Sequence, residues 1–125
     1  MPNLFAQNEK TVLVEHFTQA SCPPCAAYNL GFQTTLDANA NSITSICYQI
    51  SFPSFDPMYF DNTTDANART NFYNIGGVPI PVLQGTPNAS ISNGSFNNAH
   101  NNSSPFVINL SADFSQLTAR FQFLS

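Results

Sequence analysis

Apolar and β-branched residues crowd the stretch Thr11-Val12-Leu13-Val14-Glu15-His16-Phe17, which predicts a β-strand. Thr18 to Ser21 form a short loop. From Cys22 the period changes: Cys25, Tyr28, Phe32 and Leu36 recur at helical spacing and mark one buried stripe. Pro23 and Pro24 fall in the first turn of that helix, where a missing N–H breaks no internal bond. Gly31 weakens the helix without ending it, and Asn39 to Ser42 stop it. Ile43 to Phe52 predict a second strand, central in its sheet. A helical crossover of this kind joins parallel strands with right-handed topology.

Pro53 to Asn62 read as an irregular segment with two prolines. A second helix is expected over Thr64 to Asn74, capped by Thr63 or Thr64, with Ala68, Phe72 and Ile75 as its buried stripe. Gly76-Gly77-Val78-Pro79 form a sharp turn into a short strand, Ile80 to Gln84. Pro81 inside that strand cannot complete a ladder, so one side of it should be free or irregular. Residues 85–104 are polar and rich in Asn, Ser and Gly, with at most a weak helix near Ser95 to Asn102. In the tail, Phe106, Ile108, Leu110 and Ala112 alternate with polar neighbours, as do Leu117, Ala119, Phe121 and Phe123. That pattern predicts a β-hairpin turning at Asp113 to Gln116.

The 125 residues suffice for one ordinary domain and one core. Residues 1–9 are expected to be a disordered stub, and 10–103 to be the main domain. Residues 104–125 are expected to be the hairpin, read as the start of a further, truncated β domain, with extension of the sheet beside Ile80 to Gln84 as the alternative. Charged residues make up 8% of the chain, far below the usual ~25%. Lys10, Arg69 and Arg120 are its only Lys or Arg, and the net charge is −4. Binding to a nucleic-acid backbone is excluded on that ground, because nothing could displace counterions. Asn occurs sixteen times, so uncharged polar groups must wet the surface, as in exported proteins. No stretch is long and apolar enough to predict an integral membrane segment.

The chemistry centres on Cys22-Pro23-Pro24-Cys25. Lying between an apolar strand and an amphipathic helix, this C-x-x-C puts Cys22 at a helix N-terminus, where partial positive charge stabilises a thiolate. Cys22 is expected to be exposed there, and Cys25, one turn further in, to be less so. Cys22 is then the attacking sulfur, and Cys25 resolves the mixed disulfide. Pro23 and Pro24 offer no N–H, so the Cys25 and Ala26 amides must stabilise the Cys22 sulfur. That predicts a moderately lowered thiol pKa and favours a reductant or isomerase over a strong oxidant. The alternatives are a permanent disulfide and half of a zinc site. Zinc needs about four ligands, and beyond the pair only Cys47, His16 and His100 offer soft donors. No metal and no cofactor is expected. Cys47, between Ile46 and Tyr48, reads as a buried, inert thiol. Phe52, Phe55, Met58, Tyr59 and Phe60 suit either an apolar rim around the site or core packing, with packing favoured.

Val12 to Phe17 running into Cys22-Pro23-Pro24-Cys25, followed later by Gly77-Val78-Pro79, resembles the thioredoxin superfamily. Val14-Glu15-His16-Phe17-Thr18 ahead of the cysteines is similar to thioredoxin-like domains of exported, outer-membrane-associated bacterial proteins. The resemblance covers residues 10 to 103. It implies an α/β, thioredoxin-like fold with a central mixed sheet flanked by helices, to which the C-terminal β-hairpin is extra. It also implies that Pro79 is a cis-proline against the cysteine pair and that Val78 binds substrate by its backbone. His16 falls where the family keeps a buried acid beneath the second cysteine, which implies a proton-transfer role. Packing alone is the other reading of His16. Glu15, on the opposite strand face, is expected to be solvated or bonded to a loop. Ser21 replaces the aromatic residue common before the first cysteine.

The expected function is a thiol–disulfide oxidoreductase, a reductase or isomerase, acting in the periplasm or at the outer membrane. Its partners would be protein disulfide substrates and a thiol electron donor. A non-enzymatic binding or adhesion module with a structural disulfide is the alternative, and a metal-handling domain a third. A sheet edge or the apolar hairpin invites homodimer formation.

Overall fold

A computed structural model describes residues 9–104, 107–113 and 118–124. The first run of apolar residues forms strand β1, Val12–Thr18, buried on both sides for nearly its whole length. Helix α1, Pro23–Ala38, follows, and strand β2, Ile43–Gln49, returns parallel to β1 with Val12 beside Ile43 and His16 beside Cys47. Two helices come next, α2 at Pro57–Asp61 and α3 at Thr63–Phe72. Strand β3, Ile80–Leu83, runs antiparallel to β1 with Phe17 opposite Ile80 and His16 opposite Pro81. Strand β4, Thr86–Pro87, pairs with the end of β3, and helix α4 covers Asn93–His100. The sheet order is β2-β1-β3-β4. This mixed four-stranded sheet with flanking helices is the thioredoxin-like arrangement expected from the sequence.

The period of two along β1 divides the core. Val12 and Val14 pack with Phe32 and Leu36 of α1 and Phe96 of α4. On the opposite face Phe17 packs with Ile50, Ile75 and Val82. Both faces of β1 are therefore covered, and β1 is the central strand. The expectation that the second strand is central is corrected. β2 lies at one edge among the described residues, and its residues are exposed or half-buried. A strand pattern such as Ile43 to Phe52, with apolar residues interleaved by Thr44, Ser45, Gln49 and Ser51, cannot by itself tell a central strand from an edge. Cys47, expected to be buried, is exposed.

Local chemistry explains the remaining differences. The segment after Pro53 is not wholly irregular, because Asp56 caps α2 by accepting a hydrogen bond from Met58 N at 2.8 Å. Asn62 caps α3, its side chain accepting from Asp65 N at 3.3 Å, in place of Thr63 or Thr64. The buried position of α3 is Ala66, while Ala68 and Phe72 are exposed and Ile75 is buried beyond the helix end. Helix α3 is turned so that Arg69, not Phe72, faces the sheet. In the Asn-rich segment, Ser92 and Ser95 form a reciprocal capping box, and α4 buries Phe96. His100 Nδ1 lies 2.8 Å from the Lys10 carbonyl oxygen and ties α4 to the chain ahead of β1. Beside Pro81 the ladder is irregular as expected: β4 pairs only with Val82 and Leu83, and Asn88 N donates to Pro81 O at 2.8 Å.

Strands β5, Val107–Asp113, and β6, Thr118–Leu124, form a separate antiparallel pair with Ile108 opposite Phe123 and Leu110 opposite Phe121. Phe106, Leu117, the turn residues 114–116 and the expected stub at 1–8 lie outside the described residues. Among the described residues no helix is long and apolar enough to cross a membrane.

Candidate functional site

The site assembles where β1 ends. The chain leaves the sheet at Thr18, turns through Gln19 to Ser21, and enters α1 with Cys22 as the N-cap. Cys22 is extended, at φ −101° and ψ 105°, which leaves its side chain over the first turn. Pro23 and Pro24 fill that turn, as their missing N–H groups allow. Cys25 N donates to Cys22 Sγ at 3.2 Å, and the two cysteines form a disulfide with Cα atoms 5.2 Å apart. The Ala26 amide, expected to serve the same sulfur, instead donates to the Cys22 carbonyl oxygen at 3.2 Å. One amide and the helix field are thus what Cys22 can draw on when reduced.

The turn before β3 completes the site from the other side. The Val78–Pro79 peptide bond is cis. Cys22 Sγ stands 3.8 Å from the Val78 carbonyl oxygen, fifty-six residues away in the chain. The sequence-predicted residues Cys22, Cys25, Val78 and Pro79 are therefore gathered at one end of the sheet. The expected exposure of the attacking sulfur is corrected: in the disulfide form Cys22 is 3% exposed and Cys25 1%. The Val78 carbonyl stands beside Cys22 Sγ, and the Cys22 amide is bonded to the Gln19 carbonyl of the 18–21 loop. Ser21, Pro23, Pro24 and Ala26 around it are exposed, so Cys22 lies directly beneath the surface.

His16 points to the α1 face of the sheet, packed on Phe32 with ring centroids 4.3 Å apart and on Tyr28 at 5.6 Å. Among the described residues its Nε2 has no hydrogen-bond partner. Burial without a partner lowers its pKa from 6.5 to about 4, because the imidazolium would be desolvated. His16 is thus neutral near pH 7 and a weak base. It lines a cleft of about 130 Å³ together with Asn29, Ser45 and Cys47. Cys47 reaches that cleft from the edge strand, and desolvation raises its thiol pKa even though the residue is exposed.

Glu15 was expected to be solvated or bonded to a loop, and is instead buried and bound by Arg69 of α3. Arg69 Nε and Nη2 donate to its two carboxylate oxygens, the second at 3.1 Å, and Tyr73 OH donates to Oε2 at 2.6 Å. Burial alone would raise the Glu15 pKa, but these bonds and the Arg69 charge outweigh it and hold the carboxyl below its usual value. The same environment pushes the Tyr73 phenol up to about 12, through desolvation first and then its bond to Glu15.

Sequence reasoning missed the support of the 18–21 loop ahead of Cys22. Gln19 and Asp56 are both buried. Ala20 N donates to Asp56 Oδ2 at 2.9 Å, and Gln19 Nε2 donates to the Ser54 carbonyl oxygen. Gln19 Oε1 accepts from Ser21 N at 2.8 Å. Asp-Pro at 56–57 was the available signal, since it marks a capped helix start next to the cysteines' loop only if the two segments meet. Among the described residues, no group of three or more His, Cys, Asp or Glu side chains is placed to hold a metal ion.

No family model matches the chain, and no curated protein matches it. Among solved structures, tryparedoxin II from C. fasciculata is similar at 17% identity with a TM-score of 0.47. The likeness covers 66% of this chain and 66% of the tryparedoxin, slightly less than two thirds of either.

Proposed function

We propose that the chain is a thiol–disulfide oxidoreductase, a reductase or isomerase of exported proteins working through Cys22 and Cys25. The observation that carries this reading is the disulfide at the N-terminus of α1, faced at 3.8 Å by the Val78 carbonyl of a cis-proline turn. A thiol donor reduces the pair. Cys22 thiolate then attacks one sulfur of a substrate disulfide and expels the other as thiolate, leaving a mixed disulfide. Cys25 attacks Cys22 Sγ, releases the second substrate thiolate and restores the intramolecular disulfide. Two electrons pass from the dithiol to the substrate, and two protons accompany them. The Cys25 amide stabilises Cys22 thiolate between these steps. Val78 and Pro79 hold the substrate strand, and the low basicity of His16 suits a neutral neighbour to α1 better than a strong proton acceptor. Periplasmic or outer-membrane localisation belongs to the same proposal, supported by the sparse charge of the chain.

One observation favours a second reading, a binding module with a permanent disulfide: both sulfurs are nearly buried. The potential of the Cys22–Cys25 couple separates the two. An exchanging pair should equilibrate between roughly −120 and −270 mV, whereas a permanent bridge lies below about −300 mV. Equilibration with glutathione and thioredoxin buffers, read by thiol labelling and mass, gives that value. A potential below the lower figure overturns the oxidoreductase.

A further inference from the structure

Helix α2 carries an apolar surface that the exchange chemistry does not use. Phe55 is 70% exposed, Met58 57% and Phe60 60%. The Phe55 and Phe60 rings lie against each other with centroids 5.4 Å apart, and Tyr59 meets Phe60 edge-on at 5.2 Å. Exposed apolar side chains scattered singly are ordinary. Phe55 and Phe60 in ring contact, with Met58 exposed two residues before Phe60, make a patch suited to apolar ligands of varied shape. Leu30 and Phe72 are equally exposed but stand on other helices, α1 and α3.

The patch is fastened to the redox loop. Asp56, between Phe55 and the start of α2, receives Ala20 N through one carboxylate oxygen and Met58 N through the other. Gln19 holds Ser54 and, through Ser21, the approach to Cys22. The Cys22 amide donates to the Gln19 carbonyl oxygen at 3.2 Å. Ala20 stands two residues from Cys22, a span of at most about 7 Å. A substrate chain engaged at Cys22 therefore reaches the rings within a few extended residues.

From this juxtaposition we infer that Phe55, Met58 and Phe60 are a substrate-selecting platform, which binds apolar side chains flanking the substrate disulfide in incompletely folded polypeptides. The inference rests on the oxidoreductase reading and narrows its substrate class. Folded proteins bury such side chains, so a platform of this kind discriminates by folding state. The patch side chains carry no charge, which fits an apolar partner and offers nothing to a charged one.

The test uses pre-reduced protein in single turnovers without added donor. Two synthetic peptide disulfides of one length carry Phe and Leu, or Ser and Asn, beside their cysteines, and hydroxyethyl disulfide serves as a small control. A cysteine-free apolar peptide measures binding alone by calorimetry. The wild-type protein should reduce the apolar disulfide about tenfold faster than the polar one, the size expected for burying one to two apolar groups. Phe55→Ser/Phe60→Ser should bring that ratio close to one and abolish peptide binding. It should leave hydroxyethyl disulfide reduction unchanged, because both residues are exposed. A double variant that keeps the preference and the binding overturns the platform alone. A wild-type protein that fails to reduce hydroxyethyl disulfide overturns the oxidoreductase reading and the platform's role with it.

Discussion

Arg69, in the last turn of α3, closes over Glu15 in the middle of β1, with Nη2 3.1 Å from Oε2. The same Nη2 donates to Tyr73 OH at 3.0 Å, and the guanidinium lies 4.8 Å from the Tyr73 ring centroid. A buried carboxylate inside an apolar strand is tolerable only with such partners. The pair sets the rotation of α3 and hence the seat of Ile75, three residues before the Val78–Pro79 turn.

Arg69→Ala should therefore destabilise the protein by about 3 kcal/mol, because it strands a desolvated charge. Arg69 is itself partly exposed, which keeps the cost at the low end of the range for buried pairs. Glu15→Leu combined with Arg69→Leu should cost less than Arg69→Ala, since no charge remains buried. Urea midpoints of the three proteins check this, and an unchanged midpoint for Arg69→Ala would show Glu15 to be solvated.

His16 makes stability depend on pH in a definite direction. In the fold it takes a proton only near pH 4, whereas the unfolded chain takes one near 6.5. Between those values the unfolded state binds more protons, so stability falls as pH falls through the window. The loss should approach about 3 kcal/mol, from roughly 1.4 kcal/mol per pKa unit. Glu15 adds a loss of the same sign at lower pH, because its carboxyl is held below 4.5. His16→Leu should flatten the upper window, measured by urea unfolding at about pH 7 and about pH 5. An equal slope in the variant assigns the dependence to other groups.

The two cysteines should fail differently. Cys22→Ser removes the attacking sulfur and should abolish reduction of any disulfide. Cys25→Ser keeps attack but cannot resolve it, so a Cys22–substrate mixed disulfide should accumulate and appear in intact mass spectra. Accumulation on Cys25 in the Cys22→Ser protein instead would reverse the assigned roles.

Asp56→Ala should uncap α2 and release Ala20 N together. The expected cost is about 1–3 kcal/mol for a lost cap and a buried amide left without its acceptor. Looser tethering of the 18–21 loop should also raise KM for peptide disulfides more than it changes kcat. Thermal unfolding and steady-state kinetics read the two effects, and an unperturbed KM would separate the loop from α2.

Local signals carried much of the active end. The change of period at Cys22, the two prolines placed where a helix can take them, and the Gly-Gly-Val-Pro turn each act over a few residues. A linear pattern records such effects. The depth of Cys22 escaped it, because that depends on a turn fifty-six residues away settling at 3.8 Å from the sulfur.

What the sequence determined by itself was a strand over residues 11–17, the apolar stripe of α1, and the placing of two cysteines at a helix start. These follow from residue spacing and backbone chemistry. The tertiary structure alone decided that β2 forms an edge with Cys47 exposed, that α3 turns Arg69 inward, and that the start of α2 is bound to the 18–21 loop. The last two depend on which distant group satisfies a buried polar atom. Glu15 needed Arg69 and Ala20 N needed Asp56, and no spacing along the chain reveals a partner chosen by folding.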